Sequence, residues 1–101
     1  MKLSWLMLPL AAAGVLPAQA QDLLYTRSLA ATCANCHGTD GRTVQGSEVP
    51  AIAGMPREYM LRQLKAFRDG SRPATVMHQI AKGFSEQQLE QIATYFATAS
   101  K

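Results

Sequence analysis

Cys33-Ala34-Asn35-Cys36-His37 holds both cysteines of this 101-residue chain, and its spacing points directly to a chemistry. Two thiols three positions apart can form thioethers to two neighbouring vinyl groups on one porphyrin edge, and the following residue then lies under the iron. C-x-x-C-H is thus the pattern for covalent attachment of c-type haem, with Cys33 and Cys36 as anchors and His37 as proximal iron ligand. Other uses of the pair are weaker. A bridge between Cys33 and Cys36 closes a tiny loop and removes little entropy from the unfolded chain. A thioredoxin-like dithiol expects β-α-β surroundings, whereas the flanking sequence is alanine-rich and helical. A structural zinc site needs about four ligands, and besides these two cysteines the chain has only His37 and His78.

The group on the opposite face of the iron decides between electron carrier and open catalytic or gas-binding centre. Met55, Met60, Met77 and His78 are the candidates. Met60 falls in the apolar stripe Met60, Leu64, Phe67, where core packing accounts for it. Met77 follows the Gly70-Ser71-Arg72-Pro73 break and precedes Lys82-Gly83, so it is expected on a short segment between two helices, able to cross the haem. Met77 is the preferred sixth ligand, and His78, its rival, is read as a surface or pocket-rim residue. A thioether favours ferrous iron and closes the iron to substrate, which suits a carrier.

These residues need elements to position them. A first helix is expected from Asp22 to about Asn35, capped by Asp22, with Leu23, Leu24, Leu29, Ala30 and Cys33 available for its buried side. Residues 38–54 contain glycines at 38, 41, 46 and 54 together with Pro50, and read as a loop around one haem edge. Pro56 can open a second helix and Gly70 can end it. Its far side carries Arg57, Arg62, Lys65 and Arg68, read as solvated. Ser85 and Gln88 match a capping box for a last helix, in which Leu89, Ile92, Ala93 and Phe96 recur at i, i+3, i+4 and i+7. That helix is expected to pack on the first. No strand pattern is evident, and the fold class is all-α.

Residues 1–20 have the layout of a secretory signal: Lys2, an apolar run from Leu3 to about Leu16, then Ala18-Gln19-Ala20 ahead of the expected cut. The run of about 14 residues is shorter than the roughly 20 needed to span a membrane, and no cysteine follows the cut to carry a lipid, so no membrane anchor is expected. The expected organisation is a removed signal, 1–20, and one domain, 21–101, exported to the periplasm. Such a domain of 81 residues has a marginal core unless something helps it fold. A covalently held haem supplies that apolar mass. Without Lys2, nine Lys and Arg face seven Asp and Glu in no dense block, which is no nucleic-acid footprint.

Together these residues resemble the class I cytochromes c: a helix ending in Cys33-Ala34-Asn35-Cys36-His37, a glycine-rich loop, a methionine segment and a terminal amphipathic helix. The resemblance implies a single-domain fold around one covalent haem c. In Val49-Pro50-Ala51-Ile52-Ala53-Gly54 it puts Pro50 where a proline carbonyl often receives a hydrogen bond from the proximal histidine, a contact behind His37 that orients the imidazole. Ala74-Thr75-Val76-Met77-His78-Gln79-Ile80-Ala81-Lys82-Gly83-Phe84-Ser85, leading into Ile92-Ala93-Thr94-Tyr95-Phe96, is similar to the cytochrome subunit of flavocytochrome c sulfide dehydrogenase. That similarity implies Met77 as axial ligand, an FAD-containing sulfide-oxidising partner, and no catalysis by this chain alone. Met55 departs from the glutamine that related domains often carry. The alternatives are a free shuttle to a terminal oxidase or photosynthetic centre and, from another class, an open-site haem enzyme or gas sensor.

Overall fold

The computed structural model describes Gly14 and residues 17–101; the signal segment expected at 1–20 falls mostly outside the described residues. Four α-helices follow in order: α1, Ala18–His37; α2, Arg57–Asp69; α3, Met77–Lys82; and α4, Glu86–Thr98, with one 3-10 turn at Thr39–Gly41. The described residues form no strand. None of their helices is long and apolar enough to cross a membrane.

The last helix is built as its sequence requires. Ser85 Oγ accepts from the Gln88 backbone N–H at 3.1 Å, and the Gln88 side chain accepts from the Ser85 N–H at 2.8 Å. This reciprocal cap satisfies two donors left over at the helix start. Leu89, Ile92, Ala93 and Phe96 are buried, and Phe96 and Leu89 are wholly enclosed. They join Ala30 of α1 and Met60, Leu61 and Leu64 of α2 in one core. Helix α2 packs against both α3 and α4, and α4 packs on α1 as expected. Arg57 Nε donates to Thr94 Oγ1 at 2.8 Å, tying α2 to α4 by a side chain expected to be merely solvated. Gly70 ends α2 in the left-handed conformation, φ 85°, which its missing Cβ makes cheap.

The first helix departs from expectation at both ends. It starts at Ala18, with Pro17 as cap residue and no side-chain cap, so Asp22 lies inside it, and it continues to His37. Local preference is the reason: 18–37 contains neither proline nor glycine, and nothing stops the helix before Gly38. Its expected buried side is only half right. Ala30 is buried and Leu29 and Cys33 border the core, but Leu23 and Leu24 are 55% and 54% exposed. Tyr25 of the same turns accepts from Gln88 Nε2 of α4 at 2.9 Å, and Leu23 lines an open groove with Glu90, Gln91 and Thr94, so the two helices meet there without closing over the leucines.

Candidate functional site

Cys33, Cys36 and His37 occupy the last turns of α1. At positions i, i+3 and i+4 they share one helix face, the arrangement that the motif's spacing implied. Gly38 then stops the helix. Its φ of 84° and ψ of 164° are open to glycine, and its N–H donates to Ala34 O at 3.0 Å. A Cβ built there would lie 2.0 Å from Arg42 O and 2.6 Å from Arg42 C. The chain returns so closely over the end of α1 that no side chain fits.

The two cysteines form no disulfide with each other, Cys33 being half-buried and Cys36 exposed. Burial, with the neighbouring Cys36 adding to it, pushes the Cys33 thiol up to about 11. A thiol so raised is a poor thiolate nucleophile at neutral pH.

His37 is oriented by the loop. Its Nδ1 lies 2.6 Å from the Pro50 carbonyl oxygen. A carbonyl only accepts, so Nδ1 carries the proton and donates, which leaves the Nε2 lone pair of a neutral imidazole free for a metal. The loop that brings Pro50 there is held by Gly41, whose carbonyl accepts from the Ile52 N–H at 2.9 Å and the Ala53 N–H at 3.1 Å. A third bond, Gly54 N–H to Phe96 O at 2.7 Å, fastens the same loop to α4.

Met77 lies on the short segment expected between two helices, which itself forms the six-residue α3 with Met77 as its first residue. Its sulfur-bearing side chain is half-buried, and Met77 and Cys33 both border the central core. Met60 is buried within that core, as its stripe suggested, and Met55 packs at its edge. His78, expected at the surface or a pocket rim, is half-buried, and its Nδ1 is enclosed without a hydrogen-bond partner. Two paired thiols on one helix face, an imidazole with one nitrogen committed, and a thioether bordering the same core form a donor set that fits a covalently held haem.

The family model for cytochrome c matches residues 26–100. The chain belongs to the cytochrome c family. It therefore carries covalently bound haem c and serves electron transfer. Among relatives of this cytochrome, the cytochrome subunit of sulfide dehydrogenase from Chlorobaculum tepidum is 44% identical over 73 residues, covering 72% of this chain and 64% of that protein. A thiosulfate dehydrogenase electron acceptor from Thiomonas intermedia is 40% identical over 67% of this chain and 31% of its own length. A solved cytochrome c4 from Acidithiobacillus ferrooxidans superposes with a TM-score of 0.65 at 28% identity, covering 85% of this chain and 52% of that one. The chain thus spans less than two thirds of the curated relatives named here. The all-α cytochrome c fold is shared with that structure.

What the sequence missed is the ring of side chains around the turn after the motif. Tyr95 donates its hydroxyl to Asp40 Oδ1. Arg42 Nη2 lies 3.4 Å from Asp40 Oδ2, and Arg42 Nη1 donates to Ser100 O at 3.1 Å. Only one signal was available: Asp is a residue that tolerates φ above zero, and Asp40 has φ 53°.

Proposed function

We propose that this cytochrome is a periplasmic one-electron acceptor whose haem is anchored by Cys33 and Cys36 and ligated by His37 and Met77, and which receives electrons from the FAD-containing subunit of a sulfide dehydrogenase. The ligation reading is carried by the bond between His37 Nδ1 and Pro50 O, which leaves Nε2 as the ligating nitrogen. The partner reading is supported by the 44% identity to a sulfide dehydrogenase subunit.

When bound, haem c supplies a ferric–ferrous couple whose potential a methionine ligand raises. The polypeptide does the rest. Cys33 and Cys36 tether the group to a rigid helix face, so small changes in the surrounding loops do not release it. Pro50 fixes the rotation of the imidazole and adds to its basicity. Met77, half-buried at the start of α3, offers a weak, uncharged donor and excludes water from the remaining position. The proposed mature domain is 21–101, after removal of the signal at 1–20.

The test is purification of the full chain expressed in a host that matures c-type haem. The expected product has lost residues 1–20, gained one haem mass, and co-purifies with a flavoprotein that lets sulfide reduce it. A free shuttle is the second reading, because the thiosulfate dehydrogenase relative is named as an electron acceptor. It is selected if the mature protein never associates with a flavoprotein and sulfide leaves it oxidised. Processed polypeptide of bare mass would sink both.

A further inference from the structure

Helix α4 reaches the residues behind His37 by a route that the haem motif does not contain. Tyr95, on the last turns of α4, donates to Asp40, which lies 55 positions earlier and three residues after His37. Asp40 is the one residue other than glycine, among those described, with positive φ, and its neighbour Gly41 has φ 80°. Asp and Gly take this left-handed turn at little cost, and the Tyr95 bond ties it to α4. Gly41 accepts from both Ile52 and Ala53, and the same short strap carries Pro50, whose carbonyl meets His37. A Cβ at Gly41 would lie 2.7 Å from Ile52 Cγ1 and 2.9 Å from Phe96 Cδ1, so turn, strap and α4 meet there without spare room. Tyr95 is itself held, with its ring edge-on to Phe96 at 5.2 Å between centroids. The hydrogen bond to Asp40 raises the pKa of the Tyr95 hydroxyl, as a donor to a carboxylate should behave.

We propose that Asp40 and Tyr95 are positioning residues: together they form a clamp through which α4 sets the Pro50 carbonyl against His37 and so tunes the proximal imidazole. The clamp rests on the reading of His37 as iron ligand. Neither residue hydrogen-bonds the imidazole, whose Nδ1 is taken by Pro50. They act through Gly41 and the 50–54 strap.

The experiment uses the reduced holoprotein and follows solvent exchange of the His37 Nδ1 proton by NMR, with the reduction potential measured in parallel. Tyr95→Phe keeps the packed ring and loses only the hydroxyl. Exchange is expected to accelerate roughly tenfold or more, the effect of losing one hydrogen bond to a carboxylate. The potential is expected to rise, because a weakened Nδ1 bond leaves a less basic ligand. Asp40→Gly accepts the backbone angle but removes the acceptor and should give the same result. Asp40→Asn retains an acceptor oxygen and should restore behaviour close to wild type. Tyr95→Phe combined with Asp40→Gly should do no more than either alone, since both break one contact.

Gln88→Ala is the control. It removes the side-chain half of that helix's capping box and the Gln88 bond to Tyr25, neither of which involves Asp40 or Tyr95, so it should lower the thermal midpoint while leaving exchange and potential unchanged. Wild-type exchange in both Tyr95→Phe and Asp40→Gly overturns the clamp, as does an equal acceleration in Gln88→Ala, which would make the effect one of general stability. A wild-type holoprotein whose iron carries no imidazole overturns the ligation reading as well, and this is seen before any variant is made.

Discussion

Placing a methyl group at Gly38 tests whether the close return of the chain over α1 is as tight as it measures. Gly38 and Gly46 have nearly the same φ, 84° and 86°. They differ in surroundings. A Cβ at Gly46 meets nothing within 4 Å, whereas one at Gly38 lies 2.0 Å from Arg42 O, 2.6 Å from Arg42 C and 3.0 Å from Thr43 Cα. Gly46→Ala therefore carries only the left-handed backbone penalty, about 1 kcal/mol or slightly more. Gly38→Ala adds an overlap with main chain, which cannot rotate away as a side chain can. The Arg42 carbonyl must retreat by on the order of 1 Å to regain ordinary contact. That displacement pulls against the Arg42 N–H to Thr39 O bond of 3.0 Å and the Arg42 to Ser100 link.

The combined cost at Gly38 is at least about 3 kcal/mol, a large part of the 5–15 kcal/mol that keeps a domain folded. For a domain of this size each 1 kcal/mol moves the thermal midpoint by roughly 4–8 °C. Gly46→Ala should lose about that much, and Gly38→Ala on the order of 15 °C or more. Circular dichroism at helical wavelengths, on holoproteins with equal haem content, reads both. Equal losses for the two variants would refute the argument, because of the two only Gly38 has main chain within overlap distance of a built Cβ.

Other expectations follow from the same geometry. Met77→Ala should abolish the weak far-red sulfur-to-iron band of the ferric protein and lower its potential, at a packing cost of about 2 kcal/mol for a half-buried methionine; an unchanged band would remove Met77 from the iron. His78→Leu should not destabilise the holoprotein and should gain up to about 1 kcal/mol, since the enclosed Nδ1 has no partner to lose; a clear loss in urea unfolding would mean that the nitrogen is satisfied in the holoprotein. Lys65 Nζ, 2.7 Å from Glu86 Oε1, holds the Glu86 carboxyl below its ordinary 4.5, by hydrogen bonding first and charge second. A lowered folded value means stability that is present above pH 4.5 and lost as pH falls through the folded value, so Glu86→Gln should be slightly less stable at neutral pH and converge with wild type in acid. Parallel stability curves across that range would show that the pair contributes nothing.

The covalent chemistry was legible because it is local. Two sulfurs and an imidazole within five residues share a helix face wherever that helix sits, and the capping box of α4 is likewise a matter of two residues three positions apart and their own backbone. Gly70 as helix end and the buried stripe of Leu89, Ile92, Ala93 and Phe96 follow from the same short-range rules. Pro50 was singled out by family resemblance, and its 2.6 Å distance from His37 is a property of the folded loop.

Periodicity says which residues of a helix could be buried but not which part of the helix meets a neighbour, and so Leu23 and Leu24 of α1 stay exposed while Ala30 is buried. It also gives no warning of pairs such as Asp40 with Tyr95 or Arg42 with Ser100, 55 and 58 positions apart. By itself the sequence determined the haem attachment motif and the all-α class, through spacings shorter than one or two helical turns. Tertiary structure alone decided how α4 reaches the turn behind His37, because that contact exists only once the core has brought the two ends of the domain together.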